Sequence, residues 1–352
     1  MNKTPLFAAH LARNAVMEVH GAWMVVSHFS SIDAEVAAAR AGVGLIDLCQ
    51  VEHAVLTHAD VRRWTNGMFT NNTRKLQVGQ GNRHAMCDDR GRVRALTDLY
   101  WLSDDSALLV LEGLTRAAFE QQYEMYLTLD DIEVGGLPGE CTLLSVQGPE
   151  AANLLGRLGL PVPEKDHDHA VVPGEQASIR VMRRDRSGLG GFDLLVPRAV
   201  LPEVWGALIA AGAAPIGRAS LDALRVVQGL AAWPEDGTEK TLVHELNLDK
   251  EVCAFDKGCY VGQEVLNRVD IRGSIQKRLC RLLLAEDAIP PQGAVVMLGD
   301  EEVGALSSLA RLEGKVYALG VMRKAVWAPG TVVRVVAGDR GVDATVLAAS
   351  VA

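Results

Sequence analysis

The sequence predicts an α+β chain that finishes in an all-β unit. Apolar residues recur at alternating helical and strand spacing up to about residue 230. Over 79–111, Gly79, Gly81, Asp88-Asp89-Arg90-Gly91 and Ser103-Asp104-Asp105 separate apolar runs with the turn chemistry of antiparallel strands. From Leu279 the texture changes to short apolar runs at 279–285, 294–298, 303–309, 316–321, 331–337 and 342–348, divided by Pro-Gly, Gly-Asp, Glu-Gly and Gly-Asp-Arg-Gly turns, the pattern of a small barrel or sandwich.

In chain order, Ser30 with Asp33 reads as a capping box opening a helix over 30–41 that carries Ile32, Val36 and Ala39. Val51–Thr57 reads as a strand, and Asp60 as the cap of a helix with Val61, Trp64 and Met68 on one face. Thr115 caps a helix carrying Phe119, Tyr123 and Tyr126, closing a unit over about 49–141. Thr142–Val146 is a strand, and Pro149 then introduces a helix with Leu154, Leu155 and Leu158. Strands at Ser178–Met182 and Phe192–Val196 precede a helix over about 199–211 and a second helix, with Leu221, Leu224 and Val227, that stops at Gly229. The polar stretch Pro161–Gly174 reads as a solvated loop rather than a metal site.

The composition narrows the function. With 352 residues, 49% hydrophobic and 22% charged, the chain is long enough for two or three cores at about 100–200 residues per domain. Thirty-five basic against 44 acidic residues give a formal charge of −9, so no general attraction to nucleic acid is expected, and the cluster Arg180, Arg183, Arg184 and Arg186 reads as a solvated strand edge. The six cysteines (49, 87, 141, 253, 259 and 280) form no CxxC pair, which predicts neither a zinc framework nor a secreted disulfide set, and fits a reducing cytoplasm. Residues 1–24 mix His10, Arg13, Glu18 and His20 into their apolar positions, so neither a signal peptide nor a membrane segment is expected.

Chemistry concentrates in Lys257-Gly258-Cys259-Tyr260-Val261-Gly262-Gln263-Glu264, followed by Arg268. Glycines 258 and 262 permit positive φ and would place Cys259 on a tight loop, where Lys257 would favour the thiolate. Two readings stay open: a reactive or soft-metal-binding thiol, or a small core residue followed by a Glu264–Arg268 helix pair.

That segment resembles the K-G-C-[YF]-x-G-Q-E-x-x-x-R signature of the YgfZ family, folate-binding relatives of the glycine-cleavage T-protein associated with iron–sulfur enzymes. Glu245-Leu246-Asn247-Leu248 is similar to the family's E-x-N-L, and Arg272-Gly273 with Lys277-Arg278-Leu279 to its R-G…K-R-L continuation. Pro215-Ile216-Gly217 and Leu224–Leu230 resemble the T-protein's P-x-G…L-R-L-E-A-G-L, and Gly44–Leu48 and Gly190–Asp193 follow the same order. The resemblance implies a three-lobed ring around a folate cavity: a split first α+β lobe (1–48 plus 142–250), a second (49–141), a signature loop and linker (251–276) and a C-terminal β-barrel (277–352).

By the same resemblance, the chain is a tetrahydrofolate-linked accessory protein for assembly or maintenance of iron–sulfur enzymes, tRNA-modifying radical enzymes among them. Cys259 would be its functional thiol, holding a transient iron–sulfur cluster with a partner or reacting with a folate-carried one-carbon unit. Glu245, Asn247, Arg225, Tyr100 and Trp101 have the chemistry to read the folate's donor–acceptor edge, flat face and carboxylate tail. The alternative is a folate-dependent aminomethyltransferase or demethylase with Asp98 as general base. Two departures weigh against that alternative. Val227 stands where the T-protein pattern has a pterin-reading Glu, and about two residues separate Asp98 from the expected register.

Overall fold

The buried strand Gly44–Asp47 is stitched into a six-stranded sheet whose other members all come from beyond residue 141, in the order His169–Val172, Ile179–Arg183, Gly191–Val196, Thr142–Gln147, Gly44–Asp47, Ala214–Pro215. This is a computed structural model in which residues 1–175, 177–273, 275–338 and 340–348 are described. The intervening chain builds its own five-stranded sheet, ordered Gly81–Cys87, Val93–Ser103, Ser106–Glu112, Glu52–Thr57, Glu133–Gly135. Both sheets have central strands that are apolar on both faces, so each must be covered on both sides. Trp64, Phe69, Phe119 and Tyr123 cover the five-stranded sheet from its outer side, and Leu154, Leu155, Trp205 and Leu208 do so for the split sheet. Tyr100 and Leu108 from one sheet pack in the same apolar cluster as Ile46, Leu143 and Leu195 from the other, which joins the two lobes.

The C-terminal runs close into a six-stranded barrel, in the order Lys277–Leu284, Lys315–Arg323, Glu301–Leu312, Val295–Leu298, Val332–Ala337, Arg340–Val346. Leu282, Val296, Val303, Val316 and Val335 fill its interior from alternate positions, and closure leaves no exposed edge. A three-stranded sheet formed by Asn2–Lys3, Trp23–His28 and Val16–His20 completes the molecule. No helix among the described residues is long and apolar enough to cross a membrane.

Local chemistry corrects several expectations. The helix Ile32–Ala41 is capped by Ser31, not Ser30, and its Glu35 is buried, accepting hydrogen bonds from the backbone N–H of Phe29, Ser30 and Gly217 and from Ser220 Oγ. Asp60 makes no cap bond; it binds Arg63 and the Asp131 N–H instead. Thr115 and Gly229 cap their helices as the sequence predicts. The stretch expected to be a solvated loop contributes a strand, His169–Val172, and tucks His167 and His169 against the neighbouring lobe.

In the signature segment only one of the two glycines is conformationally required. Gly262 has φ +81° at the start of the helix Gln263–Arg272, and a Cβ there would lie 2.6 Å from the Asp88 carbonyl oxygen. Gly258 is not in the left-handed region and faces open space. Gly262→Ala should therefore destabilise the fold by about 1–3 kcal/mol in urea unfolding, whereas Gly258→Ala should change it by less than about 0.5 kcal/mol.

Candidate functional site

A cavity of about 910 Å3 opens where the N-terminal sheet, both lobes and the segment leading to the barrel meet. The helix Arg218–Gln228 presents Arg218, Leu221, Asp222, Arg225 and Gln228 to it at helical spacing. Trp23 and Trp233 supply flat apolar surface, and Glu112, Arg83 and Glu251 supply charge. The volume suits a ligand of drug size.

One wall is a buried ion network across the two lobes. Arg83 and Asp98 are register partners on adjacent strands, and Glu112 ends the next strand of the same sheet. Arg83 donates to Glu112 (2.7 Å) and to Glu251 (3.0 Å). From the split sheet, Arg186 donates to Glu112 (2.7 Å) and forks onto Asp193, while Arg184 Nε donates to Asp98 Oδ2 at 2.9 Å. His167 Nε2 lies 3.2 Å from the other Asp98 oxygen. Arg184 and Arg186, on the connection that follows the strand Ile179–Arg183, thus belong to the cavity wall and not to a solvated strand edge.

This geometry decides what Asp98 can do. It is 1% exposed, lies off the cavity wall, and both its oxygens are engaged. Burial alone would raise its pKa, but Arg184, His167 and Arg83 overcome that and hold the carboxyl well below the usual range. In this arrangement both carboxylate oxygens are occupied, and Asp98 braces Arg184 and His167. Glu112 follows the same logic: burial pushes its pKa up, Arg83, Arg186 and Arg184 pull it down, and it settles at about 2.

Other residues expected at the site lie elsewhere. Tyr100 and Trp101 are fully buried core residues, and Trp101 Nε1 donates to the Thr73 carbonyl, so neither offers a face to a ligand. Glu245 caps its own short helix by accepting from the Leu242 N–H at 2.9 Å. Asn247, at φ +60°, ends that helix and donates to the Leu279 carbonyl. Val227 packs against the core shared by the lobes while its neighbour Gln228 lines the cavity, so the side chain at 227 is not the one that meets a ligand. Arg225 alone of the expected binding residues is on the wall, held by Asp222, Asp236 and Ser308 at 2.7–2.8 Å. Reading the sequence missed Arg83, Glu112 and Glu251, whose only signal was a charge closing or interrupting an apolar run.

The signature loop faces a different way. Lys257 is buried and its Nζ donates to the carbonyls of Asn66 (2.8 Å), Phe69 and Asn71 (2.7 Å) while lying over the Tyr260 ring. Burial lowers its pKa to about 7. The amine therefore clamps the 66–71 turn, and activating the thiol is not its role. Cys259 is exposed and lines a second cavity of about 380 Å3 with Gly258, Arg63, Trp64 and Arg74, sharing no residue with the central one. Its cationic neighbours are thus arginines of the adjacent lobe. Tyr260 is buried, Gln263 Nε2 reaches the Lys257 carbonyl at 3.4 Å, and Glu264 and Arg268 are exposed without pairing to each other.

Two outcomes follow from these placements. Cys259 should be alkylated first at neutral pH, since burial raises the pKa of Cys141 to about 11 and of Cys253 to about 12, and lifts those of Cys49, Cys87 and Cys280; mass mapping that finds Cys141 labelled ahead of Cys259 would contradict this. Glu112, with a folded pKa of about 2 against an ordinary value of about 4.3, stabilises the fold above the ordinary value, and that contribution fades as pH falls towards 2. Glu112→Gln should cost about 3–5 kcal/mol at neutral pH by leaving guanidinium groups uncompensated, and the gap between parent and variant should shrink progressively in acid.

Against known proteins, the family described as the GCVT N-terminal domain matches residues 6–257. Curated relatives named aminomethyltransferase include one from Herpetosiphon aurantiacus, 27% identical over 88% of this chain and 86% of its own, and one from Thermotoga petrophila, 26% identical over 93% and 91%. The crystal structure of the glycine cleavage system aminomethyltransferase T from Bartonella henselae superposes with a TM-score of 0.89, covering 99% of this chain and 97% of that one at 20% identity. The fold is therefore of the T-protein type, mixed α/antiparallel-β lobes with a C-terminal β-barrel.

Proposed function

The chain belongs to the family of the GCVT N-terminal domain, and from that premise we propose that it binds a reduced folate, tetrahydrofolate or a one-carbon derivative, in the central cavity and works in one-carbon transfer. The observation that carries this reading is the cavity itself, of ligand size and set where the lobes converge. A pterin presents a fused row of N–H donors, a flat ring and, through its linker, an anionic glutamate tail. Glu251, with its carboxylate partly open, is placed to accept from the donor edge, Trp23 and Trp233 to pack on the ring, and Arg218 with His20 to meet the tail.

Aminomethyl transfer is the activity for which the relatives are named, and it fits this site as a reaction class. What this chain contributes is position. The Arg83–Glu112–Arg186 wall is rigid because every member is bonded to at least two others, so it holds Glu251 and the strand ends in fixed orientation without reorganising. Asp98 stabilises that wall from behind.

A second reading is favoured by one observation: Cys259 is the only exposed thiol of the six and lines a cavity that shares no residue with the central one. In that reading the protein is the tetrahydrofolate-linked accessory factor of iron–sulfur enzymes that the YgfZ signature implies. Cys259 would share a transient cluster with a partner that supplies the remaining ligands, because one thiolate cannot hold a cluster alone.

Calorimetry with tetrahydrofolate tests the first reading. Glu251→Gln should weaken binding by roughly tenfold, the loss of one charge-assisted contact, and Cys259→Ala should leave the affinity unchanged. No binding by the natural chain, or binding that depends on Cys259 and not on Glu251, would overturn it. The second reading is tested by complementation of iron–sulfur enzyme activity in cells lacking their own family member: Cys259→Ala should lose it while retaining its thermal stability, and full rescue would sink the thiol's role.

A further inference from the structure

A cluster outside both cavities has the chemistry of a cation site. His244 lies in the short helix Val243–Leu246, Asp249 opens the helix Asp249–Val252, and Asp270 is in the last turn of Gln263–Arg272. One potential ligand atom from each falls within 4.8 Å of the others. His244 is only 6% exposed, yet neither of its ring nitrogens has a hydrogen-bond partner, and its ring is stacked on Phe255. A buried imidazole with both nitrogens unsatisfied costs free energy, and two carboxylates beside it repel one another. Neither carboxylate accepts a hydrogen bond from the His244 ring, so the cluster does not relieve this cost itself.

We propose that His244, Asp249 and Asp270 bind a single divalent ion of intermediate softness, of the Zn2+ or Mn2+ class. An ion about 2.0–2.2 Å from each donor would draw the three together, satisfy one imidazole nitrogen and neutralise the carboxylates. The donor set of one imidazole and two carboxylates selects against Mg2+ and Ca2+, which prefer oxygen alone. Because the ligands come from the segment before the signature and from the helix after it, the ion would staple the signature loop to the body of the protein at both its ends.

The test uses the full-length chain, stripped with a chelator and titrated with Zn2+ by calorimetry beside thermal melts. The expected result is one ion per chain, a rise of a few degrees in melting temperature, and no competition from excess Mg2+. Cys259→Ala should bind Zn2+ like the natural chain, which excludes the exposed thiol as the ligand. Asp270→Asn, at an exposed position that should not disturb folding, should weaken binding by more than the roughly tenfold that losing an outer partner costs, and His244→Gln should do the same. No binding, undiminished binding in Asp270→Asn, loss in Cys259→Ala, or equal affinity for Mg2+ would each overturn the proposal.

Discussion

Everything at the centre of this molecule depends on a set of three guanidinium groups and four carboxylates, all buried or nearly so except the partly open Glu251. Arg83, Arg184 and Arg186 meet Asp98, Glu112, Asp193 and Glu251 where two sheets abut. Taking such charges out of water is costly, and the cost is offset only when every charge is paired in good geometry. That requirement fixes how the lobes face each other, because Arg184 and Arg186 come from the connection between two strands of one sheet, Ile179–Arg183 and Gly191–Val196, and their acceptors Asp98 and Glu112 from strands of the other. The cavity is the space left in front of that joint, and its wall is rigid for the same reason that it is buried.

The signature loop illustrates a separate solution. Lys257 and Tyr260 point inward, one satisfying three carbonyls of the neighbouring turn and the other entering an apolar cluster, and Cys259 between them is left at the surface. Two anchors around an exposed thiol present it without making it part of the core. The central cavity, where folate is proposed to bind, and the exposed Cys259 therefore line separate cavities, and any coupling between them would run through the protein rather than through a shared reactant.

The strands, helix ends and C-terminal all-β unit were legible in the sequence because their signals are local, whereas the split first lobe and the closed barrel were implied only by the family resemblance. Turn residues between apolar runs reported the antiparallel strands, Thr115 and Gly229 reported helix ends, and the regular spacing after Leu279 reported an all-β unit, barrel or sandwich. The site was far less legible. Asp98 and Arg184 are 86 positions apart, and nothing in either neighbourhood says that they will meet. Spacing suggested that Lys257 would activate Cys259, yet a lysine two residues from a thiol is free to turn the other way, and here three carbonyls hold it there. Aromatic residues expected to stack on a ligand proved to be core, since Tyr100 and Trp101 sit mid-strand in a sheet covered on both faces.

Amide hydrogen exchange with and without tetrahydrofolate is the most direct measurement of where the ligand works. Binding in the central cavity predicts slowed exchange across residues 111–117 and 218–236, which line it, with residues 258–261 unchanged. Protection confined to 258–261, with the cavity segments unaffected, would contradict the assignment of folate to the space between the lobes.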